Sequence, residues 1–228
     1  MPSANDVALL REANIALSGR VLRDLRAFWA SLDLGKPEAC RDALVRFLPV
    51  LTTTYGQAAA VVAADWYDDI RAAEGVRGRF RATTADPFPT EYVEARVRYG
   101  ARHLFTASPA LMLPFLDGVA QEYAMQPGRD TIVRSTLADP QAAGWHRETR
   151  GDACKFCRML AGRGGVYKRE TASFAAHGDC NCVAAPSWDA DAEEVPASAY
   201  VASQKTSGMS EAVKARHTAR VREYLAAL

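Results

Sequence analysis

Two cysteine clusters decide how this chain is interpreted: WHRETRGDACKFC at residues 145–157 and FAAHGDCNC at residues 174–182. Together they hold four of the chain's 5 cysteines. A C-x-x-C turn points two sulfurs the same way, and two ligands from a distant segment complete a tetrahedron around a metal ion. The 19 residues between Cys157 and His177 fit such a site, and zinc is the leading candidate.

More side chains are available than a tetrahedral zinc ion needs. Five compete for four places: Cys154, Cys157, His177, Cys180 and Cys182. If residues 180–182 are extended, both sulfurs point to one face and His177 stays outside the site. If the segment turns instead, His177 and one cysteine bind. The spacing leaves both alternatives open, so we expect one ion held by four of the five.

The ligand types favour a closed structural site over a reactive one. A redox C-x-x-C pair normally lies near a βαβ unit, and none is visible upstream. Disulfides need an oxidising compartment, whereas the first residues lack the pattern of a signal peptide. A catalytic zinc site usually has His or carboxylate ligands, and no H-E-x-x-H motif is present. We therefore expect a reducing compartment and no enzymatic activity.

Composition limits the partners of the chain. The 28 basic and 27 acidic residues give a net charge of +1, which argues against a nucleic-acid-binding protein. The 49% hydrophobic content supports a sizeable core. No uninterrupted apolar run reaches the length of a membrane span, so we expect no membrane contact. Cys40 lies far from the other cysteines and is predicted to be a small buried residue.

Helical periodicity dominates the first part of the chain. Apolar residues recur in steps of three and four over 4–33 and 38–73, with Pro49 expected to kink or break the second helix. The small residues of 58–64 predict a close approach to another helix. Further helices are predicted at 90–102, 108–125, 130–138 and 209–228. The fold class is therefore mainly α: an N-terminal helical bundle, a small C-terminal α+β zinc-binding module and a terminal helix.

This pattern divides the chain into four parts. The predicted parts are a helical domain at 1–139, the Cys/His zinc-binding module at 140–188, an acidic, small-residue linker at 189–208 and the terminal helix at 209–228. Within the module, 145–147 is predicted to be a short strand, and the glycine-rich bridge at 162–165 a turn.

The cysteine module resembles that of a known protein family. Its motifs are G-D-A-C-x-F-C from Gly151, M-L-A-x-R-G from Met159, and H-x-x-C-x-C-x-A-x-P from His177. They resemble the module of the phage minor head proteins related to the Mu F protein, as found in phages of actinobacteria. The resemblance covers about 145–188, and the helical part is similar only in size, order and helical character. Gly178 departs from the pattern, because many relatives have proline after the histidine.

The resemblance implies a structural role in phage head morphogenesis. It implies a virion protein that is in the host cytoplasm during assembly and then in the phage head. The implied partners are the portal protein and the major capsid or scaffold protein, with contact to packaged DNA as a further option. It also implies a metal-stabilised module and not an active site.

Two alternative functions remain at the level of sequence. Some relatives are labelled capsid maturation proteases, although no G-x-S-x-G elbow or nucleophile–base pair supports that activity here. The other alternative is a nucleic-acid-binding packaging or ejection factor. Its candidate contacts are Arg77, Arg79, Arg81, Lys155 and Lys168.

Overall fold

A computed structural model describes most of the chain. The described residues are 1–150, 153–163, 165–168, 174, 176, 178, 180–195, 210, 212–213, 215–216 and 219. His177 lies outside them, as do most of the predicted linker at 189–208 and most of the predicted terminal helix at 209–228.

Helices make up most of the described structure, which confirms the predicted mainly α fold class. The α-helices are α1 (Ala4–Ala30), α2 (Pro37–Ala73), α3 (Thr90–Gly100), α4 (Met112–Ala138) and the short α5 (Lys155–Ala161). Two 3-10 turns, Ala101–Phe105 and Pro109–Leu111, connect α3 to α4. The strands are β1 (Gly144–Glu148) and β2 (Val183–Ser187).

Two prolines lie inside helices that continue past them. The sequence predicts a kink or break at Pro49 and separate helices at 108–125 and 130–138, but α2 contains Pro49 and α4 contains Pro127 without interruption. A proline removes one backbone hydrogen bond and crowds the preceding turn. Both prolines are buried, so helix packing outweighs this local cost.

The central contact of the bundle joins α2 to α4. Ala59, Ala60 and Ala63 of α2 are almost completely buried, in agreement with the close approach that the small residues predict. A Cβ atom at Gly128 would lie 2.9 Å from the Ala59 carbonyl oxygen. A Cβ atom at Gly56 would lie 3.1 Å from the Pro127 ring. The two helix backbones therefore meet where neither has room for a larger side chain.

Helix α2 is also the most apolar long helix among the described residues. By length and composition alone it is able to cross a membrane, with a mean hydropathy of 1.3 over its most apolar window. Half of that window, however, is buried inside the fold. The core helix of a globular bundle has the same properties.

The C-terminal module is built around a small sheet. Strand β1 pairs with β2 in antiparallel register, with Trp145 opposite Pro186, so the predicted strand at 145–147 is present. Trp145 also exchanges backbone hydrogen bonds with Tyr167, of 3.1 and 2.7 Å. Val166 in turn bonds to Glu193 at 2.7 Å and to Val195 at 2.9 Å. Residues 193–195 thus add a further extended segment to the edge of the module.

The module and the bundle share one hydrophobic core. Trp145 and Phe174 of the module are each 2% exposed and belong to the same buried cluster as Tyr67 of α2 and Ile132 of α4. A segment of this size buries little apolar surface alone. The helices therefore supply most of the surface on which the module packs.

A buried carboxylate connects both helices to the end of the sheet. Asp139, just after α4, accepts hydrogen bonds from Arg71 at 2.8 Å, from Trp188 at 3.1 Å and from Tyr67 at 3.2 Å. Burial pushes the pKa of Asp139 up, but the bonds from Arg71 and Trp188 outweigh it and the pKa lies below its ordinary value. The ionised carboxylate therefore stabilises this junction.

Two glycine-to-alanine substitutions are expected to change stability in opposite directions, because only one of them lies at the crossing of α2 and α4. Gly128→Ala is expected to lower the free energy of unfolding by about 1–3 kcal/mol, because the new methyl group meets the α2 backbone. Gly19→Ala, at an exposed position of α1 with open space around it, is expected to raise it by up to about 1 kcal/mol. Denaturant unfolding of both variants measures the difference. Equal stabilisation by both would contradict the described crossing.

Candidate metal centre

The first cysteine cluster forms the start of α5. Cys154 is the N-cap residue, and its Sγ accepts a hydrogen bond from the Cys157 backbone N–H at 3.4 Å. Sulfur thus takes the place of the oxygen that usually caps a helix. The turn leaves Cys154 exposed and directs Cys157, which is 1% exposed, into the interior.

The second cluster enters β2 in an extended conformation. Cys180 and Cys182 are buried, while Asn181 between them is exposed. This is the alternation expected when residues i and i+2 of an extended segment face the same side. Of the two arrangements that the spacing leaves open, the described residues adopt the one in which both sulfurs face inward.

Three sulfurs come together at this point. The Sγ atoms of Cys157, Cys180 and Cys182 all lie within 4.8 Å of one another. Cys154 lies beside this group at the cap of α5, and His177 is outside the described residues. Within the part of the chain that the structure describes, no other set of three His, Cys, Asp or Glu ligand atoms lies so close together.

The spacing of the sulfurs fits a metal ion. The Sγ atoms of Cys157 and Cys180 are 3.8 Å apart. A zinc ion with Zn–S bonds of ~2.3 Å holds its tetrahedral sulfur ligands ~3.8 Å apart. No disulfide joins any of the 5 cysteines, all of which lie in described residues. The buried cluster is therefore able to hold a metal ion.

The three thiols differ in how readily each loses its proton. A hydrogen bond from Cys182 lowers the pKa of Cys180 to about 4, and the positive charge of Arg129 contributes to this shift. Burial raises the pKa of Cys157 to about 12. The hydrogen bond to Cys180 raises the pKa of Cys182. One thiolate is thus stabilised by two neighbouring thiols.

Arg129 of α4 lies directly behind the second cysteine cluster. It is 5% exposed, and its guanidinium donates to the Cys180 carbonyl through Nη2 and to the Cys182 carbonyl through Nε at 3.4 Å. Its Cζ lies 5.5 Å from the centre of the Phe174 ring. The same guanidinium therefore bridges two of the cysteines from the side of the helical bundle.

Arg129 lies outside both cysteine motifs, so the motifs alone do not indicate its part in the site. Arginine is almost never fully buried unless it is paired. The available signal is its position on α4, where Met125, Ile132 and Val133 at helical spacing are all buried. A charged residue in the middle of an apolar stripe indicates a buried polar partner from elsewhere in the chain.

The isolated Cys40 and the arginine-rich loop at 77–81 are not part of the group of three sulfurs. Cys40 is 2% exposed and its Sγ donates to the Asp33 carbonyl at 3.1 Å, as expected of a small buried residue. In the arginine-rich loop, Arg81 pairs with Asp68 at 3.0 Å, and the carbonyls of residues 76–78 accept hydrogen bonds from Arg71. Much of that loop is thus held against α2.

The sequence of this chain matches the model of one protein family. The family model of the VG15 protein matches residues 1–207, which include the helical bundle and the cysteine cluster together. The chain belongs to the VG15 protein family. VG15 is a family of phage gene products, so this is a phage-encoded protein. No significant match was found among curated proteins or among solved structures.

The thiol cluster predicts that Cys180 of the VG15 protein is a thiolate at neutral pH when chelator is present to exclude metal ions. Because the folded pKa of Cys180 is depressed to about 4, its far-ultraviolet thiolate absorbance should persist at neutral pH and disappear as the pH falls through that value. Cys180→Ser should remove the absorbance, whereas the matched control Cys40→Ser should keep it. Thiolate absorbance that appears only in alkaline solution would contradict the described cluster.

Proposed function

We propose that this VG15 protein is a structural component of the phage virion, a minor head protein required for head morphogenesis. In this proposal its cysteine module is held by one structural zinc ion. It acts at the portal and the capsid interior, with the portal protein and the major capsid or scaffold protein as partners. The observation that carries the proposal is the buried group of three cysteine sulfurs where the module packs on the helical bundle.

Zinc is supported by the ligand types and their burial. Thiolates prefer zinc over magnesium or calcium, and a structural zinc site has four protein ligands in a tetrahedron. Cys157, Cys180 and Cys182 supply three of them. The fourth is either Cys154, which caps the same turn, or His177, the remaining candidate in sequence.

A structural role for the metal is supported by its surroundings. The three sulfurs belong to the shared core, in which Trp145 and Phe174 are also buried. A catalytic zinc ion keeps one position open to water or substrate, which requires an accessible face. Binding of structural zinc supplies on the order of 10 kcal/mol to a small fold. Such a contribution suits a module with little apolar core of its own.

The role in the phage head is supported by two independent features. Membership of VG15 makes the chain a phage gene product. The motifs of 145–186 resemble the cysteine module of minor head proteins related to the Mu F protein. A closed metal site inside a helical body suits a protein that binds other head proteins better than one that turns over a substrate.

The function is tested on phage particles. We expect mass spectrometry of purified virions to detect the protein at a few copies per particle, and partial disassembly to release it together with the portal protein. Deletion of its gene should leave heads that are not infectious. Normal, infectious particles that lack the protein would refute the proposal.

The metal is tested on the purified protein. Wild-type protein should contain one zinc ion per chain, and Cys157→Ser and Cys180→Ser should lose it and destabilise the module by several kcal/mol. Circular dichroism should show that the helices of the bundle remain. The control Cys40→Ser removes a buried cysteine far from the cluster and should retain zinc. Stoichiometric zinc in both cluster variants would defeat the assignment.

A further inference from the structure

We propose that Arg129 is the positioning residue and countercharge of the metal centre, so that the site holds its ion as a negatively charged, thiolate-rich complex. This inference rests on the proposed zinc site and goes beyond it, because it assigns a role to a residue that is not a ligand. Three features of Arg129 support this role: the carbonyls that it binds, its burial and the charge that it meets.

The first feature is the pair of carbonyls. In an extended segment the carbonyls of residues i and i+2 point toward the same edge, and their side chains share one face. Arg129 donates to the carbonyls of Cys180 and Cys182 from one planar guanidinium. These two N–H donors of one rigid guanidinium hold the segment extended, because a turn at Asn181 would separate the two carbonyls. Both sulfurs are thereby kept on the side that faces Cys157.

The second feature is the burial of the charge. A buried arginine costs several kcal/mol unless its charge and its donors are compensated. Arg129 is 5% exposed, and its Nη1 has no hydrogen-bond partner among the described residues. The neighbouring acid, Asp130, accepts instead from Gln126 at 2.9 Å. Its described hydrogen-bond partners are thus two neutral carbonyls, and no carboxylate among the described residues forms an ion pair with it, so the negative charge that it meets is that of the cysteine cluster.

The third feature is the charge of the metal complex. A zinc ion with three thiolates and a neutral histidine carries one net negative charge, and four thiolates leave two. Either complex is costly to bury without a cation nearby. Arg129 supplies that cation from the bundle side. Residues that orient metal ligands from outside typically change metal affinity about 10–100-fold when they are replaced.

The experiment measures zinc affinity by chelator competition in the full chain. Arg129→Met removes the charge and the donors but keeps an elongated apolar side chain, and should weaken zinc binding by about 10–100-fold. Arg129→Lys keeps the charge but not the planar fork, and should lie between this variant and the wild type. Cobalt substitution adds a spectroscopic readout, because displaced sulfurs change the thiolate-to-cobalt absorption bands.

Two other arginines provide matched controls. Arg134→Met removes an exposed charge from the same helix, and should leave zinc affinity and the cobalt spectrum unchanged. Arg71→Met removes a buried arginine that pairs with Asp139, away from the cysteines, and should lower stability without weakening zinc binding. The two controls separate loss of charge and loss of stability from an effect on the metal centre.

The outcomes distinguish this inference from the proposed function. If wild-type protein binds no zinc, the proposed metal fails, and this inference with it. If wild-type protein binds zinc and Arg129→Met binds it equally well, with the same cobalt spectrum, only the role of Arg129 is overturned. It is also overturned if Arg129→Met lowers the melting temperature equally in loaded and stripped protein. Loss of the whole helical fold in both Arg129 variants, even with excess zinc, contradicts it too, because the expected effect is confined to the module.

Discussion

The backbone contact between α2 and α4 at Gly128 determines where the rest of the structure lies. A Cβ atom there would be 2.9 Å from the Ala59 carbonyl oxygen, so this side of α4 is pressed against α2. Successive residues of an α-helix point ~100° apart. Arg129 must therefore leave α4 on a different side from Gly128, and that side faces the cysteine module. The contact between α2 and α4 therefore also positions the buried Arg129 beside the carbonyls of Cys180 and Cys182.

The module depends on the bundle for its stability as well as its position. Its large side chains, Trp145 and Phe174, complete a core to which α2 and α4 contribute Tyr67 and Ile132. The carboxylate of Asp139 closes the junction from the other end through Arg71 and Trp188. These contacts explain how a five-residue strand pair can be ordered, although an isolated two-stranded sheet is at best marginally stable in water. In the proposed site, metal binding would add to this junction and not replace it.

Sequence reasoning succeeds for features that depend on local periodicity and fails for those that depend on distant contacts. The apolar spacing predicts α1 and α2 nearly to their ends. Of the two placements predicted for Cys180 and Cys182, the structure shows the extended one, with Asn181 exposed between two buried cysteines. The continuity of α4 through Pro127 is not visible locally, because burial against α2 decides it. Arg129 was missed for a similar reason, since its partners are backbone carbonyls more than 50 residues away in sequence.

The protonation of the cluster connects its electrostatics to the proposed metal. Only Cys180 has a depressed pKa, while the pKa values of Cys157 and Cys182 are raised. A zinc ion needs its sulfur ligands as thiolates, so binding in this cluster must expel protons from the other two. Each new thiolate would increase the negative charge in a region with little access to water, and Arg129 is a nearby cation that offsets it. In this proposal the arginine and the metal share one charge balance: the ion stabilises the thiolates inside the core, and the guanidinium offsets the net negative charge of the complex.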